Sequence, residues 1–370
     1  MRPFLLVQAC VIVVSSLAFA QLGDERMQKA NTAASTVVKE RMRAERPADA
    51  RWLEQVSASD IVVVRGEYDR VEDVLRPLGI KHTVVNPIQV AQLELNARQL
   101  LIVDCPGDIG PKGIEKIRKF VNAGGYLYTT DWALKGVVQK AFPGFVAHNG
   151  VETSNDVVEV QVGETSNNLL KHLTLSKENP KWWLESSSYP IKVLATDKVD
   201  VLVTSKEMKS RYGQAAIAVH FRYGDGQVLH IASHFFLQQN QTRTVVDKKG
   251  SKAYLKEDSS LSENTKQALE KKADFADVVA GDLSSAYAAQ QMTSNIVVER
   301  KKDQQRIDGL YSGTVRTPLA AATGVRTVAA ASGASAMPVG TKVRPLEKKG
   351  DEVKVRLMSG EETWVPADAL

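Results

Sequence analysis

The stretch GGYLYTTDWAL at residues 124–134 decides the fold of this chain. A preceding amphipathic helix, GIEKIRKFVNAGG at 113–125, ends at the two glycines, and the apolar run after them is typical of a buried strand. That strand leads into a sharp turn at Asp131. A similar segment, GQVLHIASHFF at 226–236, carries His234 at its strand end. Two buried strands that end in polar residues predict a functional edge of a sheet.

The segments before this stretch alternate between apolar strands and amphipathic helices. The predicted strands are DIVVVRG at 60–66, HTVVNP at 82–87 and QLLIVDCPG at 99–107, and a helix, RVEDVLRPLGI at 70–80, joins the first two. Continuous apolar strands separated by helices are what a parallel sheet covered on both faces requires. We therefore expect an α/β fold with a doubly wound, mostly parallel, flavodoxin-like sheet.

The segments after it contain alternating, β-branched stretches. They are DVVEVQVG at 156–163, IKVLATD at 191–197, VDVLVTS at 199–205 and AAIAVHFRYGDGQVLHIAS at 215–233. The last of these contains a GDG turn between two strands, which is a hairpin signal. The second half of the domain is therefore expected to add antiparallel strands to the sheet edge.

Changes in composition predict the boundaries of the remaining parts. A signal peptide is predicted at 1–20, followed by a polar helix at 21–50 that is either a spacer or packs on the next domain. The α/β domain is predicted at 51–311, with an exposed polar insertion at 242–282 and a closing helix at 284–302. A flexible linker at 312–336 leads to a small antiparallel barrel at 337–370. The chain is thus expected to hold one large core and one small one.

The first twenty residues have the features of a secretory signal. A basic start at Arg2 precedes an apolar run from Phe4 to Leu17, and Ala18-Phe19-Ala20 is an AxA-type cleavage site. The run is shorter than a bilayer-spanning helix needs, which predicts a cleaved signal, a periplasmic or secreted chain and no integral membrane segment, with an uncleaved anchor as the alternative. The net charge of +5 favours anionic surroundings without indicating nucleic acid.

The C-terminal segment resembles part of a known small domain. MPVGTKVRPLEKKGDEVKVRLMSGEETWVPADAL at 337–370 has short alternating strands separated by KKGD and SGEE turns. The order of these elements looks like the second half of a bacterial SH3-like (SH3b) domain, whose first strands must then come from the linker or be missing. Trp364 is expected to be either a ligand-groove aromatic or a core residue.

The main domain is similar to the class I glutamine amidotransferase-like superfamily over roughly residues 60–300. The similarity rests on DCPGD at 104–108, GGYLYTTDWA and HIASHFF. In that family the turn after the strand carries a nucleophilic cysteine, and the late strand ends in a histidine followed closely by a glutamate. Here Asp131 stands at the nucleophile position, His234 matches the histidine and Phe236 replaces the glutamate.

These replacements have a chemical consequence. Acyl transfer from an amide needs a thiolate or alkoxide aligned with a base, and the base needs a third group to orient it. Asp131 is a poor nucleophile toward an amide, and Phe236 cannot accept a hydrogen bond from His234. Thr129 and Thr130 have no evident base. The sequence therefore predicts that glutamine hydrolysis has been lost.

Cys105 is a separate candidate because it follows a predicted strand at the same sheet edge. A helix N-terminus or His234 could activate a thiolate there, and the alternative is a small, buried, inert residue. In the resembling family this loop supplies an oxyanion-stabilising amide, which is a backbone role. It is the sole cysteine beyond the predicted signal, so no disulfide is expected in the mature chain.

Other polar residues are candidates for ligand binding. Asp104, Asp108 and Asp131 either converge in an acidic pocket or act as helix caps and turn formers. WWLESSSYP at 182–190 either borders this pocket or belongs to the core and a turn. The histidines lack metal-ligand spacing, so neither a metal nor a cofactor is predicted. The predicted ligand-binding residues are Asp104, Gly107, Asp108, Thr130, Trp132 and Trp364.

Two classes of function fit these patterns. The first is an exported, noncatalytic binding or scaffold protein of the cell envelope, whose partner is peptidoglycan or an envelope protein. The second is an envelope hydrolase that cleaves a peptide or amide bond through His234 with Asp131 or Cys105. The two differ in whether the sheet edge exposes a reactive group.

Overall fold

The computed structural model describes residues 4–163, 166–184, 187–233, 244–272, 275–318 and 337–370, with side chains described from Glu25 onward in the first helix. Three predicted features lie outside the described residues. They are the pair His234 and Phe236, residues 242–243 at the start of the predicted insertion, and residues 319–336 of the predicted linker.

The chain alternates strands and helices through its first half. The strands are β1 (Ile61–Val64), β2 (Thr83–Val85), β3 (Leu100–Val103), β4 (Tyr126–Thr130), β5 (Val146–His148), β6 (Asp156–Glu159), β7 (Gln161–Val162), β8 (Lys181–Leu184), β9 (Ile191–Val193), β10 (Val199–Thr204), β11 (Ala216–Tyr223), β12 (Gly226–Ile231), β13 (Gly313–Thr314), β14 (Lys342–Lys349), β15 (Glu352–Leu357) and β16 (Glu362–Pro366). The helices are α1 (Phe4–Glu45), α2 (Pro47–Glu54), α3 (Glu72–Leu78), α4 (Pro111–Asn122), α5 (Gln139–Ala141, directly after a π-helical turn at Leu134–Val138), α6 (Lys206–Tyr212), α7 (Ser251–Glu257), α8 (Glu263–Glu270) and α9 (Ala280–Leu310).

The large central sheet has the strand order β2-β1-β3-β4-β12-β11-β10-β7. The pairings from β2 to β12 are parallel, and those from β12 to β7 are antiparallel. The predicted hairpin joins β11 to β12, with Tyr223 opposite Gly226. The expected mixed α/β fold with a mostly parallel sheet and antiparallel additions is confirmed. The strands β5 and β9, and β6 and β8, form two smaller antiparallel pairs.

Both faces of the central sheet are covered, which explains the continuous apolar strands. In β1, Ile61 and Val63 belong to the core shared with α1, α3 and α9, while Val62 and Val64 belong to the core shared with α4. Side chains alternate between the faces of a strand, so a sheet covered on both sides needs apolar residues at every position.

Helix α1 packs on the domain rather than standing off as a spacer. Within the range predicted as a polar helix, Ala30, Ala34, Val37 and Val38 are fully buried. The side-chain amide of Gln290 in α9 also donates a hydrogen bond to the main-chain oxygen of Asn31 in α1, at a donor–acceptor distance of 2.7 Å. The alanines allow the two helices to approach closely.

The predicted polar insertion contributes to the core, contrary to the expectation that it is exposed. Helix α7 buries Tyr254 and Leu255, helix α8 buries Leu269, and Phe275 follows them into the same core. These apolar residues are few in number but are spaced on one side of each short helix, and the charged residues between them face solvent. The correction applies to the described residues of this range.

The C-terminal segment forms an antiparallel four-stranded sheet in the order β13-β14-β15-β16. Strand β13 comes from the range predicted as linker. A small core of Val343, Val355 and Val365 lies under the sheet. Trp364 is 37% exposed, so the interpretation of this tryptophan as a core residue is wrong.

This sheet docks on the α/β domain at the end opposite the strands' carboxyl ends. The main-chain N–H of Ala97 donates to the oxygen of Met358 at 2.7 Å, and Arg356 donates to the oxygen of Asn122 at 3.2 Å. Among residues whose placement the structure gives, no helix combines the length and the apolar character that a bilayer span requires.

Candidate functional site

The carboxyl ends of the parallel strands meet at one edge of the central sheet, where the strand order reverses between β1 and β3. Open α/β sheets bind ligands at such a reversal. We call this region the carboxyl edge. It comprises the loops at residues 66–71, 104–110 and 130–134, together with the segment at 187–190 that lies against them.

Asp131 follows β4 in a left-handed conformation, with φ of 38°. Aspartate tolerates this region better than most residues. Its main-chain N–H donates to the oxygen of Ile231 at 2.8 Å, which continues the pairing of β4 with β12. Its carboxylate accepts hydrogen bonds from Oγ of Ser188 and from the main-chain N–H of Tyr189, each at 3.0 Å. Because the residue is only 1% exposed, this carboxylate fastens two loops together and does not face solvent.

A second buried group, Asp69, was missed by the sequence analysis. Oγ1 of Thr130 donates to Oδ2 of Asp69 at 2.6 Å and accepts from the main-chain N–H of Cys105 at 3.2 Å. These three residues therefore connect the loops after β1, β3 and β4. The available signal was the position of Asp69 shortly after the first predicted strand, at the end of the sheet where polar residues were already sought.

Asp104 is also buried, at 1% exposure, and its Oδ2 accepts the main-chain N–H of Val71 at 3.0 Å. Burial, reinforced by the negative charges of Asp69 and Asp104, raises the pKa of Tyr128 well above its usual value. Asp108, in contrast, is exposed. Of the two alternatives for these aspartates, the acidic pocket is wrong in its composition, since Asp108 stays outside and the carboxylates of Asp104 and Asp131 are buried and hydrogen-bonded. Asp131 lies in a turn, as the other alternative has it.

Cys105 is 1% exposed, and its main-chain oxygen accepts the N–H groups of Glu67 at 3.0 Å and Tyr68 at 3.3 Å. A Cβ added to Gly66 would lie 2.2 Å from that oxygen, so the two loops approach closely only because residue 66 is glycine. The peptide bond between Cys105 and Pro106 is cis. The thiol does not reach the surface, and the main chain makes the contacts of this loop.

Gly107 has a spacing role at the same edge. It adopts φ of 69°, and a Cβ there would lie 2.9 Å from side-chain carbons of Ala133 and Val137. The residue therefore lets the loop after β3 contact the turn after β4. This close packing accounts for a glycine at position 107 without a contact to a ligand.

The accessible part of the carboxyl edge is aromatic. The ring of Trp132 stacks on Tyr189 at a centroid distance of 5.6 Å and meets the edge of Tyr68 at 5.4 Å. Tyr189 in turn stacks on His148 at 4.1 Å. Nε1 of Trp132 donates to the oxygen of Ser187 at 2.6 Å, which fixes the indole. We call Tyr68, Trp132, Tyr189 and His148 the aromatic row.

Exposure and charge differ along the aromatic row. Tyr68 is 48% exposed, while Trp132, Tyr189 and His148 are half-buried. Nζ of Lys135 lies 5.7 Å from the ring centroid of Tyr189, and this lysine is exposed. Partial burial, together with the negative charges of Glu152 and Asp131, raises the pKa of Tyr189. The phenol therefore stays neutral at physiological pH.

The described histidine on β12 is His230, which lies inside the sheet rather than at its edge. Its Nδ1 is 2.8 Å from Oγ1 of Thr129, and burial lowers its pKa to about 3. The imidazole is therefore neutral at physiological pH. Its exposure is 0%, so it does not substitute for His234 as an accessible base.

The structure thus brings together most of the residues predicted from the sequence. Cys105, Thr130, Asp131 and Trp132 converge at the carboxyl edge, whereas Trp364 lies on the separate C-terminal sheet. Within the described ranges, no group of three or more histidine, cysteine, aspartate or glutamate side chains is arranged to hold a metal ion.

Comparisons with known proteins identify no family. No family model matches the chain, and no characterised protein matches it in sequence. Among solved structures, a cold-adapted β-galactosidase from Rahnella sp. R3 is 16% identical, covers 48% of this chain and 29% of its own, and gives a TM-score of 0.32. The chain thus spans less than a third of that enzyme's length.

Two shorter proteins give similar values. A cytoplasmic protein from Salmonella typhimurium is 14% identical over 50% of this chain and 91% of its own, with a TM-score of 0.36. A ThuA-like protein from Bacteroides uniformis is 9% identical over 49% of this chain and 83% of its own, with a TM-score of 0.35. At these TM-scores the likenesses support no conclusion about fold or function.

Proposed function

We propose that this chain is an exported, noncatalytic binding protein of the cell envelope that holds the glycan of peptidoglycan on its aromatic row. One observation carries the proposal. Asp131, which occupies the nucleophile position of the resembling amidotransferase-like superfamily, is 1% exposed and accepts hydrogen bonds from Ser188 and Tyr189. Under this proposal the domain is a flavodoxin-like scaffold that keeps the site of that superfamily but not its chemistry.

The inaccessibility of Asp131 and Cys105 supports the proposed loss of catalysis. A nucleophile must reach the scissile carbonyl of its substrate with a base beside it. To release its carboxylate, Asp131 would have to leave the hydroxyl of Ser188 and the N–H of Tyr189 unpaired inside the protein, and each unpaired group costs about 1–3 kcal/mol. The thiol of Cys105 is equally enclosed, at 1% exposure.

The aromatic row supplies a surface that suits sugar rings. The face of an aromatic ring carries partial negative charge, and the C–H groups on one face of a pyranose are weakly positive and apolar. Tyr68 is 48% exposed, and its ring contact with Trp132, which itself stacks on Tyr189, limits its freedom in advance. A side chain ordered before binding loses less entropy when the ligand arrives.

Lys135 adds a charge preference to this surface. Its Nζ lies beside the ring of Tyr189 and is exposed. Peptidoglycan carries carboxylates on its lactyl and peptide groups, and an ammonium next to the sugar-binding face would pair with them. The net charge of +5 acts in the same direction.

The C-terminal sheet provides a second contact under this proposal. Trp364 on β16 is exposed and is opposite Lys354 on β15, whose Nζ pairs with Glu362 at 2.8 Å. This arrangement suits the SH3-like domain that the sequence resembles. Two weak contacts on one chain raise the effective affinity for a polymer that reaches both.

Titration of the purified chain with soluble muropeptides in a calorimeter tests the proposal. Tyr68→Ala is expected to weaken binding roughly tenfold, since one lost stacking contact of about 1.4 kcal/mol corresponds to that factor. Ile88→Ala is the matched control, because Ile88 is an exposed apolar side chain, at 84%, away from the aromatic row. Lys135→Ala should weaken binding of muropeptides but not of uncharged chitooligosaccharides.

Two results would overturn the proposal. The first is equal muropeptide affinity in Tyr68→Ala and in the unmodified chain. The second is release of product from the muropeptides by the unmodified chain, with loss of that release in His234→Ala. The second result would establish the hydrolase alternative.

A further inference from the structure

A separate cavity of about 650 Å³ lies where α1 ends and α2 begins, facing the segment at 170–174. We call it the α1 cavity. Its volume falls in the range of small-molecule sites, about 300–1,000 Å³. None of the residues of the carboxyl edge lines it. The two sites are therefore independent, and the α1 cavity has no role in the function proposed above.

One wall of the α1 cavity is an ordered cationic framework around Arg41. Nε of Arg41 pairs with Glu45 at 2.9 Å, and Nη1 donates to the hydroxyl of Tyr287 at 2.8 Å and to the oxygen of Thr174 at 3.1 Å. The side chain is 7% exposed. Arg41 is thus held in one orientation by groups from α1, α9 and the 170–174 segment.

The carboxylate of Glu45 is fully engaged and does not oppose an incoming anion strongly. It accepts hydrogen bonds from Nε of Arg41, from the main-chain N–H of Ser262 at 3.1 Å and from the hydroxyl of Thr265 at 3.0 Å. These hydrogen bonds outweigh the effect of burial and lower the pKa of Glu45 to about 2. The second acid at the cavity, Asp49, is paired with Arg46 at 2.6 Å.

Lys171 and His172 supply further polar groups, from the segment whose main-chain oxygens accept hydrogen bonds from Arg41. Among the described residues, Lys171 has no ion pair or side-chain hydrogen bond. His172 sits at φ of 56°, and its Nδ1 lies 3.2 Å from Oε2 of Glu45 without the alignment of a hydrogen bond. Burial and the neighbouring charge of Arg41 lower the pKa of His172 to about 4. The imidazole is therefore neutral at pH 7, and in the tautomer protonated at Nε2 it can donate to a carboxylate.

The rest of the lining is apolar. Leu170 and Leu173 are buried at 2% exposure, and Val162 at the sheet edge lies beside them. Pro47 and Ala48 are exposed at the opening of the cavity. A ligand that enters past these two residues would meet the polar groups of Lys171 and His172 and, next to them in the chain, the apolar side chains of Leu170 and Leu173.

We propose that the α1 cavity binds a small organic anion whose carboxylate pairs with Lys171 and His172 and whose apolar body lies against Leu170 and Leu173. The arrangement discriminates against a neutral ligand of the same shape, which leaves Lys171 unpaired. It also discriminates against a cation, which would face the ammonium of Lys171. The apolar wall favours a short aliphatic chain over an inorganic anion.

Calorimetric titration of the full chain with octanoate tests this assignment. We expect saturable binding of octanoate, at least tenfold weaker binding of octan-1-ol, and none of octyltrimethylammonium, since a hydrogen bond to a charged group contributes about 1.5–3 kcal/mol. Lys171→Gln is expected to weaken octanoate binding at least tenfold. Lys177→Gln is the matched control, because Lys177 is exposed in the same segment and does not line the cavity.

A second pair of variants tests the place of binding. Ala48→Trp should fill the opening of the cavity and abolish octanoate binding, whereas Ala44→Trp, at an exposed position of α1 outside the cavity, should not. An unchanged melting temperature in buffer shows that each variant folds. The proposal is overturned if octanoate does not bind, if octan-1-ol binds equally well, or if Lys171→Gln and Lys177→Gln bind alike.

Discussion

The carboxylate of Asp131 accepts a hydrogen bond from Ser188 at 3.0 Å, between residues that are 57 positions apart in sequence. This bond, together with the N–H of Tyr189, fastens the turn after β4 to the segment that carries Tyr189 of the aromatic row. The residue at the most conspicuous turn of the sheet is therefore a structural tie. Its carboxylate is hydrogen-bonded to groups of the protein itself.

Replacing Asp131 is expected to reduce stability. Asp131→Ala should lower the free energy of unfolding by about 2–4 kcal/mol, because it leaves the Ser188 hydroxyl and the Tyr189 N–H unpaired. Asp131→Gly should cost about 1 kcal/mol less than Asp131→Ala, because glycine adopts the left-handed φ without strain. Urea denaturation measures both, with Asp108→Ala at an exposed position as the control. Equal stability of Asp131→Ala and the control would show that the tie contributes nothing.

The central sheet could be predicted because the apolar pattern of each buried strand is visible in the residues of that strand alone. Ile61, Val62, Val63 and Val64 are all buried, and a strand covered on both faces has to be apolar at every position. The turn between β11 and β12 was equally visible, because a GDG sequence favours a hairpin whatever surrounds it.

The fate of Asp131 could not be predicted, because its partner is remote. Nothing near residue 131 shows that Ser188 will donate to it, and so the sequence left two alternatives open, a pocket carboxylate and a helix cap or turn former. Asp69 was overlooked for the same reason, since its role depends on the hydroxyl of Thr130.

The polar helix at 21–50 was ambiguous for a different reason. Alanine contributes little to an apolar pattern, yet Ala30, Ala33 and Ala34 are fully buried where α1 meets α9. Such contacts are set by close approach of two backbones more than by large side chains. Their partner helix lies at the other end of the domain in sequence, so the pairing leaves no local signal.

Arg300 holds the closing helix α9 to the sheet. Its guanidinium donates to the main-chain oxygens of Arg98 at 3.1 Å and Gly124 at 2.9 Å, and also to that of Ala97. The side chain is 3% exposed and also pairs with Asp303 at 3.2 Å. Burial lowers its pKa to about 10, which still leaves it charged at neutral pH.

Arg300→Lys is therefore expected to destabilise the chain despite keeping the charge. An ammonium cannot reach several oxygens that a planar guanidinium contacts at once, and we expect a loss of about 2–4 kcal/mol in the free energy of unfolding. Arg51→Lys, at an exposed position of helix α2, is the matched control and should change stability by less than about 0.5 kcal/mol. Chemical denaturation of the two variants under identical conditions measures this difference. Equal losses in the free energy of unfolding would refute the role of the planar guanidinium of Arg300.

Asp225 holds the C-terminal sheet against the α/β domain. Its carboxylate, 19% exposed, pairs with Arg356 at 3.3 Å and with Arg344. Removing it leaves two neighbouring guanidinium groups facing each other. We expect Asp225→Ala to favour local detachment of the sheet by about 1–3 kcal/mol.

Hydrogen exchange of the Ala97 amide reports this detachment, because that amide donates to Met358 on the C-terminal sheet. Its exchange should be about 5- to 150-fold faster in Asp225→Ala, the factor that corresponds to the expected energy. Asp197→Ala, at an exposed position of the same domain, should leave the rate unchanged. If the Ala97 amide exchanges equally in both variants, Asp225 does not fasten the sheet.

The buried His230 makes stability depend on pH. Its pKa is about 3 in the folded chain and about 6.5 in the unfolded chain, so between these values the unfolded chain binds a proton that the folded chain does not. Stability is therefore complete above pH 6.5 and falls on acidification, by about 2 kcal/mol at pH 5. His230→Leu should remove this part of the acid dependence, so its free energy of unfolding should change less between pH 7 and pH 5. His220→Leu on the neighbouring strand β11 is the control, and an equal flattening of the pH dependence in both variants, measured by urea denaturation, would contradict the assignment to His230.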